Sequence, residues 1–422
     1  MSAKHDRPLA ADEPDKLLER PVANSFFWRR IKQRLAPLDH DNLVGTAKRR
    51  TGLSDFGDPL CEEALRVLVS ACNTEANLNM FGQFAARQHF LELLETRLSL
   101  VSQWQAAPAM REESIRKPVF ITGLPRSGST FLHDLFAHDP ANRVPLTWEV
   151  MFPLPFPKRT KDDPESRIRK AESRLRLMRL LNPSVVKAHP IGARLPQECI
   201  AILSYSLLSE EFLCMFWIPS YEKWLRARDM RQAYRFHRDF IGHLPCPAPA
   251  ERWVFKAPDH VYSLDALVDT YPDARIVFLH RDPMKVLGSV ASLATKLRSA
   301  FSNHIDPLRT GINEARVLNE VTLKMMEFRD RHPSLSDRFI DIQYLELVRN
   351  PVATIRQIYG RFGLTLSADA KRRMYSFLEG RRNKRRPKHI YRLADFGIET
   401  DRKESCLVAY CDRFGIELEP VN

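Results

Sequence analysis

Residues 117–130 read KPVFITGLPRSGST, and FLHDLFAHDP (131–140) follows them. Lys117 to Thr122 is a short apolar run of strand type, GLPRSGST is turn-rich, and the apolar residues of 131–140 recur at helical intervals until Pro140 stops them. The order is strand, tight loop, helix. Gly123 and Gly128 have four residues between them, as in a Walker A loop, and Ser129 and Thr130 stand where the helix begins. Backbone N–H groups of such a loop and of the helix N-terminus cradle an anion, and glycine permits close backbone approach. The pair is conspicuous because only 15 of the 422 residues are glycine, about half the usual share.

The loop departs from that of a nucleoside triphosphatase. Ser129 stands where GxxxxGK[ST] has its lysine, and a cation, Arg126, lies inside the loop instead. A γ-phosphate and Mg²⁺ site wants that lysine and an aspartate after an apolar strand. ARIVFLHRDP (274–283) offers Asp282, but directly behind Arg281. This supply of cations fits a nucleotide without a triphosphate better than it fits a kinase or NTPase.

The alternation continues outward. WVFK (253–256) reads as a strand, a helix is expected from about Ser263 to Thr270, and Ala274 to His280 reads as a buried strand. Arg338 to Gln343 is strand-like and precedes a helix from Pro351 to about Phe362. Strands alternating with helices imply an α/β fold with a doubly wound parallel sheet, whose ligand crevice lies beyond the strand C-termini. Upstream, Cys61 to Cys72 and Gln88 to Trp104 have helical periodicity, and Asp163 caps a helix that starts at Pro164 and runs to about Leu181. The apolar stretch Ile200 to Pro219, broken by Glu210 and Glu211, suits a buried helix better than a membrane span. The expected organisation is a loose segment 1–24, a helical subdomain 25–110, an α/β domain 115–400 with a helical insertion at about 155–245, and a tail 401–422.

Composition bounds the partners. There are 65 Lys+Arg against 52 Asp+Glu, a formal net charge of +13, and 44% of residues are hydrophobic. Such a chain buries a large core, and its charge suggests an anionic partner. Residues 1–24 contain no apolar h-region, and the seven cysteines are scattered without CxxC or Cys/His spacing. The expectation is a cytoplasmic protein with reduced thiols and no metal site.

A second anion site follows the strand that ends at His280. Arg281 at a strand end can contact phosphate bidentately, and Ser289, about two helical turns on, adds a hydroxyl. Together with the first loop this suggests a nucleotide bearing phosphates at both ends.

The pair KPVFITGLPRSGST and ARIVFLHRDPMKVLGSV resembles the sulfotransferases that use 3′-phosphoadenosine 5′-phosphosulfate (PAPS). The first stretch looks like their 5′-phosphosulfate loop, the second like their 3′-phosphate motif, and the arginine in PRSGST is closest to the protein-tyrosine and bacterial branch. WVFKAPDH, DIQYLELVRNP and IYGRFGL extend the resemblance, which covers roughly 117–400. It implies a P-loop NTPase-like sheet with an N-terminal helical extension and helical insertions, and PAPS as co-substrate without a metal. It places Gly123, Pro125, Arg126, Ser127, Gly128, Ser129, Thr130, Arg281 and Ser289 around the nucleotide. Arg126 and Lys256 supply positive charge at the phosphosulfate, Lys256 matching the branch's catalytic lysine.

The same branch has a glutamate acting as general base at the point where Glu149 stands in VPLTWEVMFPLP. His189 and Glu198 in AHPIGARLPQE are the alternatives, with His260 and His280 in play because cytosolic sulfotransferases use histidine. The run RRNKRRPKHIYR (381–392) has seven basic residues and no acidic one. By resemblance it closes over the 3′-phosphate through Lys388, His389 and Tyr391; a solvated charge run or a nucleic-acid tail would look similar. The acceptor would be a small molecule, lipid or glycan, with Trp217, Tyr221 and Trp224 hinting at an apolar or sugar-like group. No nucleic-acid partner is expected, and a homodimer stays open.

Overall fold

The computed structural model describes residues 37–108, 115–155, 163–181, 191–245, 250–382, 391–398 and 405–420. Its centre is a sheet of β1 (Val119–Gly123), β2 (Asn142–Arg143), β3 (Arg252–Lys256), β4 (Arg275–His280) and β5 (Phe339–Gln343), in the order β2-β3-β1-β4-β5. All four pairings are parallel. The chain leaves β1 towards β2 and β3 and then crosses to β4 and β5 on the other side. The ends of β1, β3 and β4 therefore meet at a topological switch point, where open α/β sheets bind ligands.

The central strands β1 and β4 read as near-continuous apolar runs because both faces are covered. Alternate residues divide between two cores. Phe120, Phe255, Ile276 and Phe278 join a large cluster on one face, which also includes Leu43, Leu65, Phe90 and Leu94 of the N-terminal helices. Val119, Ile121, Val254, Val277 and Leu279 face Leu132, Phe136, Ile355 and Tyr359 on the other. The N-terminal helices thus share a core with the sheet.

Those helices are His40–Thr51, Leu60–Thr74 and Met80–Ala106. The last starts eight residues before the expected Gln88 because Asn79 caps it, its side chain accepting from the Gly82 N–H at 2.7 Å. Pro164–Leu181 forms at the expected place.

The stretch 200–219 does not form one buried helix. It breaks into Cys199–Leu203, a 3₁₀ turn Ser204–Ser206, and Glu211–Met215. Ser204 and Ser206 hydroxyls return to the carbonyls of Ala201 and Leu203, and Leu207 takes φ +58°. Serines that bond their own backbone end the helix where apolar composition alone would continue it. No helix among the described residues is long and apolar enough to cross a membrane.

Candidate active site

The loop after β1 lies close against β4. Gly123 has φ +122°, and a Cβ there would stand 2.3 Å from the Leu279 carbonyl oxygen. Only glycine allows this approach. Gly123→Ala is expected to cost about 2 kcal/mol or more in stability, seen as a lower midpoint in denaturant melts; an unchanged midpoint would show that β1 and β4 can separate without loss.

Arg126 takes the left-handed conformation at φ +62°, which costs a branched or long side chain energy unless contacts fix it. The contacts are present. Its carbonyl accepts from Arg281 Nη1 at 2.8 Å and its Nε donates to Ser289 Oγ at 3.2 Å. Arg126, Arg281 and Ser289, placed at one nucleotide by two separate motifs, are therefore joined directly. Burial and the neighbouring Arg281 lower the pKa of Arg126, though a guanidinium stays charged.

Gly128, at φ +91°, precedes the helix Ser129–Ala137 and gives its N-terminus no side-chain cap. The first N–H groups of that helix are thus open to an anion. Ser129 is buried, and the Ser127 hydroxyl donates to the Leu124 carbonyl, holding the loop closed.

Lys256, the last residue of β3, is 2% exposed. Its Nζ donates to Thr130 Oγ1 at 3.2 Å and pairs with the Glu198 carboxylate. Glu198 stands at the start of the short helix Cys199–Leu203, so an element from the insertion meets the start of helix Ser129–Ala137 through one ammonium. His133, also buried, has its pKa pushed down to about 3 by burial and by Lys256, and stays neutral.

Glu149 has different partners, although its helix is bonded through Thr147 and Trp148 to the backbone of Leu195 and Ala193, just ahead of Glu198. Its Oε1 accepts from Arg143 Nη2 at 2.5 Å and its Oε2 from the Leu146 N–H at 2.8 Å. Arg143 in turn lies over the Trp253 ring at 4.9 Å. Both oxygens are used to start the helix Thr147–Met151 and tie it to β2, an arrangement that gives Glu149 a structural task. Of the alternatives, Glu198 is the carboxylate that meets Lys256. His189, Lys388 and His389 lie outside the described residues.

The other candidate histidines are inside the protein. His260 Nδ1 contacts the Tyr234 hydroxyl at 2.6 Å, and burial holds its pKa well below the usual range. His280 is held between Tyr410 and Asp341 at 2.8 and 2.9 Å. Tyr391 is beside the second motif, its hydroxyl donating to the Lys285 carbonyl at 3.1 Å and its ring against Gly288. Tyr221 is fully buried with its hydroxyl on the Leu207 carbonyl at 2.7 Å, and Trp217 lies between Arg298 and Arg309. These two aromatics are accounted for by packing.

Sequence reasoning missed two neighbours of the site. Asp259, three residues after Lys256, is a half-buried carboxyl whose pKa desolvation drives upward. Glu419 reaches Arg281 from 138 residues away. The spacing in KAPDH was a signal for the first; nothing local marked the second.

Comparison with known proteins agrees with this geometry. Residues 118–368 match the model of the sulfotransferase family. The fold is similar to the crystal structure of sulfotransferase STF1 from Mycobacterium tuberculosis, with TM-score 0.75 and 30% identity over 90% of this chain and 98% of that one. It is similar to sulfotransferase STF9 from Mycobacterium avium, with TM-score 0.79 and 26% identity over 90% and 97%. In sequence it is 25% identical over 307 residues to the omega-hydroxy-beta-dihydromenaquinone-9 sulfotransferase Stf3 of Mycobacterium bovis, covering 68% of this chain and 74% of that protein. A family match across 118–368, on a sheet whose switch point carries the glycine loop after β1, Lys256 and Arg281, places the chain in the sulfotransferase family and makes it a sulfotransferase.

Proposed function

We propose that the chain transfers a sulfuryl group from PAPS to a hydroxyl of an apolar, lipid-like small molecule. The observation that carries this reading is the Glu198–Lys256–Thr130 chain of contacts at the open start of helix Ser129–Ala137, with Arg281 and Ser289 joined to the same loop through Arg126. The two cation groups suit the two ends of a nucleotide phosphorylated at both 3′ and 5′ positions. The lipid-like acceptor is favoured because Stf3, by its name, acts on a hydroxylated dihydromenaquinone.

The residues divide the work as follows. The loop N–H groups and the Ser129 and Thr130 hydroxyls bind the 5′-phosphate end. The acceptor oxygen forms its bond to sulfur as the bond from sulfur to the 5′-phosphate oxygen breaks. Lys256 and Arg126 neutralise the charge that grows on that leaving oxygen. Glu198 accepts the hydroxyl proton. Lys256 pairs with Glu198, and an incoming anion draws the ammonium towards itself and frees the carboxylate to take a proton. Lys256 is buried and Glu198 half-buried, so little water surrounds the pair and each charge interaction is strengthened.

Thermal shift tests the nucleotide reading. 3′,5′-Adenosine bisphosphate is expected to raise the melting temperature, by about 2.7 kcal/mol of stabilisation at a hundredfold excess over Kd, while ATP–Mg²⁺ and duplex DNA leave it unmoved. Arg281→Ala should weaken bisphosphate binding at least tenfold, the value of about 1.4 kcal/mol. Stabilisation by ATP–Mg²⁺ and not by the bisphosphate would overturn the proposal. For the acceptor, radiolabelled sulfate transfer to an ω-hydroxylated prenyl quinone is expected to exceed transfer to simple sugars.

A further inference from the structure

Arg281, assigned above to the 3′-phosphate, already holds an anion. Its Nε and Nη2 donate to the two carboxylate oxygens of Glu419 at 2.7 and 2.9 Å. Two parallel bonds of this kind are what an arginine makes with phosphate. The pair is shielded, with side chains 18% and 14% exposed, so solvent screens it less than a surface pair. The Arg281 guanidinium lies over the Tyr344 ring, 3.9 Å from its centre.

The segment carrying Glu419 follows the edge of the crevice. Tyr410 and Phe414 pack on His280, the ring of Phe414 stacking at 4.3 Å. Gln343 Nε2 donates to the Phe414 carbonyl at 2.7 Å, and the Glu419 N–H donates to Asp282 Oδ2 at 2.8 Å. These anchors lie at the C-terminal ends of β4 and β5. Beyond Gly415, at φ +58°, Ile416 is buried while Glu417 and Leu418 are exposed. The end of the segment can leave the site with little loss of core.

We propose that Glu419 is an internal competitor in the donor site: a carboxylate that occupies Arg281, lowers the affinity for a ligand with a 3′-phosphate, and yields only to a ligand bringing its own anion to that position. The inference rests on the reading of Arg281 as a phosphate contact. A carboxylate and a phosphate cannot share one guanidinium without repulsion. A 3′-phosphate brings three acceptor oxygens and more negative charge than a carboxylate, so it replaces Glu419. A nucleotide without that phosphate leaves Glu419 where it stands and gains nothing from Arg281.

Calorimetric titration of 3′,5′-adenosine bisphosphate and of 5′-adenylate into the full chain tests this, with Glu419→Gln, Glu419→Ala, Glu417→Gln and Arg281→Ala beside the wild type. Both Glu419 variants are expected to bind the bisphosphate about tenfold tighter, with 5′-adenylate changed less than about twofold. The ratio of the two affinities is the readout, since a purely structural effect of the variants would move both ligands together. Glu417→Gln should leave the ratio unchanged. Unchanged or weaker bisphosphate binding by both Glu419 variants would overturn the proposal while leaving the donor reading intact. If Arg281→Ala bound the bisphosphate as well as wild type does, the phosphate role of Arg281 would fall, and this inference with it.

Discussion

Replacing Lys256 by methionine is expected to lower kcat by about 10²–10³-fold. Bisphosphate affinity should fall by no more than about tenfold, or about 1.4 kcal/mol. Methionine keeps an unbranched stem for the buried cavity at the end of β3 and removes only the charge. The lost interaction is concentrated in the transition state, where negative charge builds on the leaving oxygen, so kcat suffers more than ligand binding. Site geometry supports the asymmetry. Nζ is at hydrogen-bond distance from Thr130 and paired with Glu198 at a position 2% exposed, where a charge acts through little water. A second effect follows in the folded protein, because Glu198 loses its cation in a partly buried place and some thermal stability goes with it. Single-turnover rates and melting temperatures on the same preparation separate the two. Turnover within about threefold of wild type, less than 1 kcal/mol of barrier, would remove Lys256 from the reaction.

Much of the sheet was legible before any coordinates, for a physical reason. A parallel strand covered on both faces is apolar at its centre, so VFITG, RWVFK and RIVFLH show as short apolar runs between turn residues, and FIDIQ at the sheet edge shows as alternation. β2 was not legible. Two residues, Asn142 and Arg143, pair with Arg252 and Trp253 and leave no periodic trace. The break at Ser204–Leu207 was hidden for a different reason: apolar composition is the same whether the backbone continues as a helix or turns, and the deciding serine hydroxyl bonds are local chemistry that hydrophobic periodicity does not register.

The tight loop after β1 was legible because its glycines answer to local backbone demands at Gly123 and Gly128. The different surroundings of Glu149 and Glu198 were not. Both are glutamates beside apolar segments, and what separates them is contact across the fold, Glu149 with Arg143 and Glu198 with Lys256. Glu419 on Arg281 is the extreme case, a contact fixed by how the final helix Ser405–Phe414 packs on His280.

Glu198→Gln is expected to remove about 10²–10⁴-fold of kcat, the usual contribution of a positioned base, while Glu149→Gln keeps turnover per folded molecule within a few-fold. Glutamine preserves the volume of the side chain, and its carbonyl still accepts from Lys256, so donor binding survives. What disappears is the ability to hold the acceptor's proton. Glu149→Gln instead weakens the buried bond to Arg143 and exchanges one acceptor oxygen for an amide at the helix start. Its expected consequence is a stability loss of about 1–3 kcal/mol, read as a lower denaturation midpoint. The two variants therefore cross over: one loses rate with its melting temperature nearly intact, the other loses stability with its rate nearly intact. Lys256 links the test to the mechanism. If the ammonium must leave Glu198 before the carboxylate can act, Glu198→Gln in the Lys256→Met background should cost less than the product of the two single losses, since both remove parts of one unit. The reverse crossover, rate lost in Glu149→Gln and kept in Glu198→Gln, would return the base to Glu149 and leave Glu198 as the group that holds Lys256 in place.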